Sequence, residues 1–275
     1  MKETAHLIHD YLRSSKKFPH IWCAGCGFGI FMNALIRVID RIGYSKDDVV
    51  LISGIGCSGR LPVYVDFNTL HTTHGRALTF ATGMKLAKPH LKVITIMGDG
   101  DAIAIGGNHL IHAARRNVEI TSFIINNNVY GMTGGQCSPT TPYKAKTTSS
   151  PYGNLESDFD ICRLVEAAGA VFVARSTVYH TRLLDQLIRK ALKKKGFAMV
   201  EVISQCVTYS GRWLELGSPV EMMKWQKDNA ITVEKAKGLG EAELKGKIVT
   251  GVLTDKERPT YHEEYRRLLR EKLKV

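Results

Sequence analysis

From residue 49 onward the apolar positions switch repeatedly between two periods. Val49–Ser53 (VVLIS) is a short apolar, largely β-branched run, and Gly75–Lys88 is a stretch of small and apolar residues at helical spacing. Lys92–Met97 (KVITIM) predicts a strand that runs directly into Gly98-Asp99-Gly100-Asp101. Ile105–Arg116 predicts a helix, and Glu119–Asn126 (EITSFIIN) another strand. A segment rich in Gly, Thr, Ser and Pro, about Gly131–Gly153, predicts a loop. Asp158–Ala168 then predicts a helix, Val171–Ala174 a strand, His180–Lys194 a helix and Phe197–Ile203 a last strand. The helix Gly75–Lys88 is expected to be largely buried.

Strands alternating with helices predict an α/β fold, a doubly wound and mostly parallel sheet covered on both faces. Ligands in such folds sit at the carboxyl ends of the strands, where the polar motifs of this chain fall. Residues 1–220 are expected to form the main domain. The tail after Pro219 is charged and broken by Gly238, Gly240, Gly246 and Gly251. Residues 221–275 are therefore expected to be an extended C-terminal arm packing on a partner subunit.

Composition narrows the function classes. The 275 residues are 44% hydrophobic and 23% charged, which is ordinary for a globular protein and excludes disorder for the bulk of the chain. No apolar run approaches the ~18 residues of a membrane helix. Met1–Pro19 lacks a signal-peptide core. A cytoplasmic protein with no membrane contact is expected. The net charge is +12 but spread along the chain; its largest local excess, nine basic against four acidic residues, lies in the Gly-rich stretch 51–150. That argues for an anionic ligand or an acidic partner rather than nucleic acid. Ordinary solubility charge accounts for it equally well.

Two motifs carry chemistry. Asp99 and Asn127 are 28 residues apart, each just after an apolar strand. A carboxylate and an amide oxygen at neighbouring strand ends can ligate one hard cation, and Mg²⁺ takes such ligands together with phosphate oxygens. The flanking glycines let backbone N–H groups approach those phosphates. A lone Gly-Asp-Gly would be only a turn; the pair at this spacing favours the site. The second motif is Trp22-Cys23-Ala24-Gly25-Cys26, with Cys57 in Gly54-Ile55-Gly56-Cys57-Ser58-Gly59-Arg60 and Cys206 after the last strand. The C-x-x-C pair alone is compatible with a redox dithiol, with part of a zinc site, or with a 4Fe–4S cluster on four cysteines.

Gly-Asp-Gly followed about thirty residues later by Asn-Asn is the signature of thiamine diphosphate enzymes. The longer stretch from Gly98 to Gln136 (GDGDAIAIGGNHLIHAARRNVEITSFIINNNVYGMTGGQ) resembles the β subunits of the 2-oxoacid:ferredoxin oxidoreductases. The resemblance is strongest over residues 20–210. It implies Asp99, the Asn127 side chain and the Val129 carbonyl as Mg²⁺ ligands. Gly98, Gly100, Asp101, Tyr130, Gly131, Met132 and Thr133 would face the diphosphate and substrate end. Ile55, Gly56, Ser58 and His74 would contact the cofactor. Cys23, Cys26, Cys57 and Cys206 match the family's cluster positions one by one. Cys137 and Cys162 do not, and are expected to be incidental thiols.

The resemblance further implies oxidative decarboxylation of a 2-oxo acid with coenzyme A, the electrons leaving through the cluster to ferredoxin. The segments HTTHGRALTFATGMKLA and GMTGGQCSPTTP look most like the 2-oxoglutarate enzymes, with pyruvate or a branched-chain 2-oxo acid as the alternative. Arg60 is expected to hold the substrate carboxylate, because a guanidinium grips one with two hydrogen bonds. Gly134 stands where some members of the family carry a second basic residue. No glutamate suited to activating the aminopyrimidine is visible, and the family places that group on an α subunit. The chain is thus expected to act only in a heteromer with α, with γ and δ subunits where those exist. A thiamine-dependent decarboxylase without redox function, or a non-catalytic metal-binding subunit, would need only one of the two motifs. His109 and His112 share a helix face without a third ligand and are expected to pack or face solvent.

Overall fold

The computed structural model describes residues 4–16, 18–213 and 215–273. Eight strands form one sheet in the order β2-β1-β3-β4-β8-β7-β10-β9. The strands are β1 (Val49–Ser53), β2 (Asn68–His71), β3 (Lys92–Gly98), β4 (Thr121–Asn126), β7 (Phe172–Thr177), β8 (Ala198–Ile203), β9 (Ala230–Thr232) and β10 (Ile248–Asp255). The pairings from β2 through β7 are parallel; β10 runs antiparallel to β7. A separate two-stranded ribbon joins β5 (Val129–Tyr130) to β6 (Gln136–Cys137) inside the expected loop.

Both faces of the sheet are covered, which is why its strands are apolar without alternation. Val49 and Leu51 of β1, Phe123 and Ile125 of β4, and Ala198, Val200 and Val202 of β8 face one core. The helices Phe28–Ile42 and Thr181–Lys193 close it. The intervening Val50, Ile52, Ile124 and Met199 face the second core, under the helices Ala77–Ala87, Gly107–Arg116 and Ile161–Ala167. Each fully buried Ile, Leu or Phe contributes roughly 1.5–3 kcal/mol, so two such layers hold the strand ends in a fixed relation. The helix Phe28–Ile42 buries Phe28, Phe31, Met32, Leu35, Ile36 and Ile39, a 3–4 spacing, and stops at Gly43 (φ 79°), whose N–H bonds Ile39 and Asp40 carbonyls.

Three expectations change. The helix predicted from Ile105 starts at Gly107, and residues Asp101–Ile105 form a wide π-turn instead. The helix over 75–88 spans Ala77–Ala87 and is buried on one face only; Phe80 (49% exposed) and Leu86 (39%) face outward. Small, apolar composition does not say which faces a neighbour covers. The strand predicted at Val171–Ala174 starts one residue later and continues to Thr177, because Arg175 and Thr177 pair with Glu201 and Ile203 of β8. The expected extended arm over 221–275 departs as well: the chain forms the helix Pro219–Asn229, strands β9 and β10 and the helix Tyr261–Leu273, and β10 joins the main sheet because its backbone pairs with the free edge of β7. Among the described residues no helix is long and apolar enough to cross a membrane.

Candidate functional site

Strand order assembles the site. β1, β3, β4 and β8 are adjacent and parallel, so the loops that leave them meet at one edge of the sheet. Those loops carry Cys57, Asp99, Asn127 and Cys206 respectively. The loop after β2 adds His74. A cavity of about 200 Å³ opens there, and every expected cofactor residue lines it. Its wall runs from Ile55, Gly56, Cys57 and Ser58 through His74 and Gly98, Asp99, Gly100 and Asp101 to Asn127, Val129, Tyr130, Gly131, Met132 and Thr133. Phe28 and Ile125 complete the lining. Arg60 lies outside it, half-buried at the end of the short 3₁₀ turn Ser58–Arg60.

Asp99 is buried, and its Oδ2 accepts hydrogen bonds from the Ser138 and Thr140 hydroxyls, both at 2.6 Å. Burial pushes its carboxyl up from the usual range, against the pull of those hydroxyls and of the Asp99 and Gly100 backbone N–H groups. A carboxylate so desolvated gains from a cation. Oδ2 is committed to hydroxyls, which turns Oδ1 into the oxygen available to a metal. The Asn127 side-chain oxygen meets the Val129 N–H at 3.4 Å. Carboxylate, amide and carbonyl oxygens are the donors Mg²⁺ prefers, so the residues fit that ion. A Cβ at Gly100 would run into the Tyr130 ring, so the backbone approach after β3 needs glycine there.

Asp101 explains the π-turn. Its Oδ1 accepts the Gly75 N–H at 2.7 Å and the Ile55 N–H at 3.3 Å, and lies 2.6 Å from His74 Nδ1. This short contact with Asp101 fixes the orientation of the His74 ring. Gly54 has no room for a Cβ against Asp101 Oδ2, a buried oxygen without a partner. Burial pushes the Asp101 carboxyl up despite those donors. Wide turns of this kind are frequent at functional sites.

The four expected cluster cysteines come together at the far side of Gly131. A Cβ on Gly131 would sit 3.6 Å from Cys57 Sγ, 3.7 Å from Cys206 Sγ and 3.6 Å from the Asn127 amide. The Cys23–Cys26 turn packs on the loop after β8: the Gln205 side chain donates to the Gly25 carbonyl at 2.8 Å, and Thr208 donates to Cys23 Sγ at 3.2 Å. Trp22 Nε1 donates to the Cys57 carbonyl at 2.8 Å. Burial pushes the Cys26 thiol up to about 12, with Cys206, Cys57 and Cys23 adding to it, and the Cys57 thiol up to about 11, with Cys206 and Cys23 adding. Among the described residues no three of these sulfurs lie within 4.8 Å of one another.

Cys137 is half-buried in the β5–β6 ribbon. Cys162, expected to be incidental, is buried and donates to Glu201 Oε2 at 3.2 Å. His112 Nδ1 accepts from Arg115 Nε on the helix surface. Sequence reasoning passed over Ser138, Thr140, Arg175 and Glu201. The first two lie in a segment read as loop. A Glu inside an apolar strand (AMVEVI) was a signal available for the last.

The family model described as "Thiamine pyrophosphate enzyme, C-terminal TPP binding domain" matches residues 54–202. The chain is 50% identical over 269 residues to a protein of Methanocaldococcus jannaschii named 2-oxoglutarate synthase subunit KorB, covering 98% of this chain and 99% of that one. It is 54% identical over 220 residues to the protein of the same name from Archaeoglobus fulgidus, covering 80% of each. The solved structure described as 2-oxoglutarate:ferredoxin oxidoreductase from Magnetococcus marinus with 2-oxoglutarate, coenzyme A and succinyl-CoA bound superposes with a TM-score of 0.86 at 33% identity, covering 97% of this chain and 90% of that one. A sheet whose strand ends gather Asp99 and Asn127, matched over nearly its whole length by such relatives, belongs to the thiamine pyrophosphate enzyme family, in the group of 2-oxoglutarate:ferredoxin oxidoreductase β subunits.

Proposed function

We propose that this chain is the β subunit of a cytoplasmic enzyme that oxidatively decarboxylates 2-oxoglutarate with coenzyme A, giving succinyl-CoA and CO₂ and passing two electrons, one at a time, to ferredoxin. One observation carries the reading. Asn127 of the cation end and Cys57 and Cys206 of the thiol end all lie against Gly131, where a Cβ would meet the three at 3.6–3.7 Å. A redox site and a diphosphate site built independently would have no reason to share that residue.

Asp99, the Asn127 side chain and the Val129 carbonyl would hold Mg²⁺, and Gly98 and Gly100 would let the backbone meet the diphosphate. Cys23, Cys26, Cys57 and Cys206 would hold a 4Fe–4S cluster. Four cysteines brought together in this way suit a cluster held by four thiolates. When bound, thiamine diphosphate supplies the electron sink for decarboxylation and the cluster supplies one-electron transfer. His74, oriented by Asp101 through Nδ1, stands at the cavity wall with its ring available to the cofactor. Arg60 is the chain's own candidate for a substrate carboxylate, approached from the turn that carries Cys57.

Activity requires the α subunit. The surface it would cover is apolar: Ile55, Ile105 and Met132 are 40–50% exposed around the mouth of the cavity, beside the outer face of helix Ala77–Ala87. The exposed Tyr261, Tyr265 and Leu268 of the last helix give the 221–275 segment a partner-facing stripe. The test is anaerobic purification with the α subunit, followed by reduction of a viologen dye or ferredoxin with coenzyme A and a panel of 2-oxo acids. Reduction with 2-oxoglutarate is expected. Reduction only with pyruvate or branched-chain acids would overturn the substrate. No reduction by a brown, thiamine-loaded complex would overturn the chemistry.

A further inference from the structure

Beneath the cation end runs a buried polar chain that none of the roles above uses. Arg175 of β7 and Glu201 of β8 are direct register partners in the middle of the sheet. Glu201 is 2% exposed. Its Oε2 accepts Arg175 Nε at 2.6 Å and the Cys162 thiol at 3.2 Å. Arg175 Nη2 reaches Asp160, the N-cap of helix Ile161–Ala167, at 2.6 Å. The other oxygen, Oε1, accepts the Asn126 Nδ2 amide at 2.8 Å. Asn126 Oδ1 then accepts the Asn128 N–H at 3.0 Å and lies 2.9 Å from the Thr140 hydroxyl, the same hydroxyl that bonds Asp99.

An asparagine amide is nearly symmetric in shape, and only its partners decide which end is nitrogen. An ionised Glu201 accepts and cannot donate, so it selects one orientation. That orientation aims Oδ1 at the Asn128 N–H and closes an Asx turn, with Asn128 in the left-handed region (φ 62°). The residue inside the turn is Asn127. The positive partner of Glu201 within the sheet is Arg175, whose Nε donates to Oε2 at 2.6 Å.

We propose that Glu201, held by Arg175, is a positioning residue for the divalent-cation site: it fixes the Asn126 amide, and through it the turn that presents Asn127. The proposal rests on reading Asp99 and Asn127 as cation ligands. Glu201→Gln keeps the shape but can present either a donor or an acceptor, so it removes the selection. Residues that orient metal ligands typically contribute about 10- to 100-fold to affinity.

The test is Mn²⁺ binding, followed by electron paramagnetic resonance, to the anaerobically purified complex in the presence of thiamine diphosphate. Glu201→Gln is expected to weaken Mn²⁺ by about tenfold or more. Asn126→Ala is expected to weaken it equally, and the double variant no further than Asn126→Ala alone. Should Glu201→Gln fail to fold, Asn126→Ala decides, because it leaves the Arg175–Glu201 pair in place. Wild-type Mn²⁺ affinity in Asn126→Ala, or in a folded Glu201→Gln, overturns the proposal. Asp99→Asn separates the two levels. If it abolishes Mn²⁺ binding while Glu201→Gln does not alter it, the positioning role falls and the cation reading stands. If Asp99→Asn binds Mn²⁺ normally, the cation reading itself falls.

Discussion

At one end of the cavity Asp99 is buried with two hydroxyls on one oxygen, Asn126 is gripped from below by Glu201, and the strand ends carry the whole arrangement. At the other end Cys26 and Cys57 are half-buried beside further thiols, and partial burial with those neighbours raises both thiols. The first end is held in place by hydrogen bonds within the protein. The second holds groups that favour the protonated form until a metal takes them as thiolates. Two halves of one cavity therefore depend on their ligands to different degrees.

The sharpest break of that contrast is Asp99→Ala. It removes the proposed Mg²⁺ ligand and the oxygen that accepts from both the Ser138 and Thr140 hydroxyls. Thiamine diphosphate with Mg²⁺ is expected to stop binding in a calorimetric titration, while the brown colour of the iron–sulfur site survives. Cys206→Ser should do the reverse: the visible absorption is lost and the diphosphate still binds. Should either substitution abolish both ligands, the ends are not independent. Gly100→Ala forces a Cβ into the Tyr130 ring. Overpacking of this kind costs roughly 1–3 kcal/mol, read as a lower denaturant midpoint with the cluster still present.

Alkylation of the iron-free protein probes the thiol end more gently. A thiol pushed up is mostly protonated at neutral pH, and the thiolate is the nucleophile. Cys26 and Cys57 should react slowly, their rates climbing as pH approaches about 12 and about 11. By linkage, groups raised in the fold favour the folded state below their ordinary value of 9.0, and that contribution is lost as pH rises through the raised values. An iron-free protein that alkylates at both positions as fast as a free thiol at pH 8 would contradict the burial. The smallest effect is expected for Arg60→Ala, which stands outside the cavity lining. A rise in KM for the 2-oxo acid with kcat retained would assign it to substrate binding.

The strands and the two chemical motifs were legible because each is written locally. Val49–Ser53 and Thr121–Asn126 are apolar on both faces, and Asp99 and Asn127 follow strands directly. Less was legible where a residue's role is set by a distant partner. Ser138 and Thr140 read as loop polarity until β3 brings Asp99 beneath them. Asp101 belongs to an expected turn, yet the π-turn depends on N–H groups donated by Gly75 and Ile55. The outer face of Ala77–Ala87 looked buried because composition counts apolar residues and not neighbours.

By itself the sequence determined the strand–helix alternation over residues 49–203 that builds a parallel sheet, and the residue types that suit a hard cation and a set of thiolates. These follow from side-chain period and ligand chemistry, both properties of short segments. Only the tertiary structure decided that Asn127, Cys57 and Cys206 meet at Gly131, that Arg60 stands back from the cavity, and that a glutamate in an apolar strand is paired with Arg175 and Asn126. Those relations depend on which strands become neighbours, and strand order is fixed by packing two helical layers against one sheet rather than by any local stretch of chain.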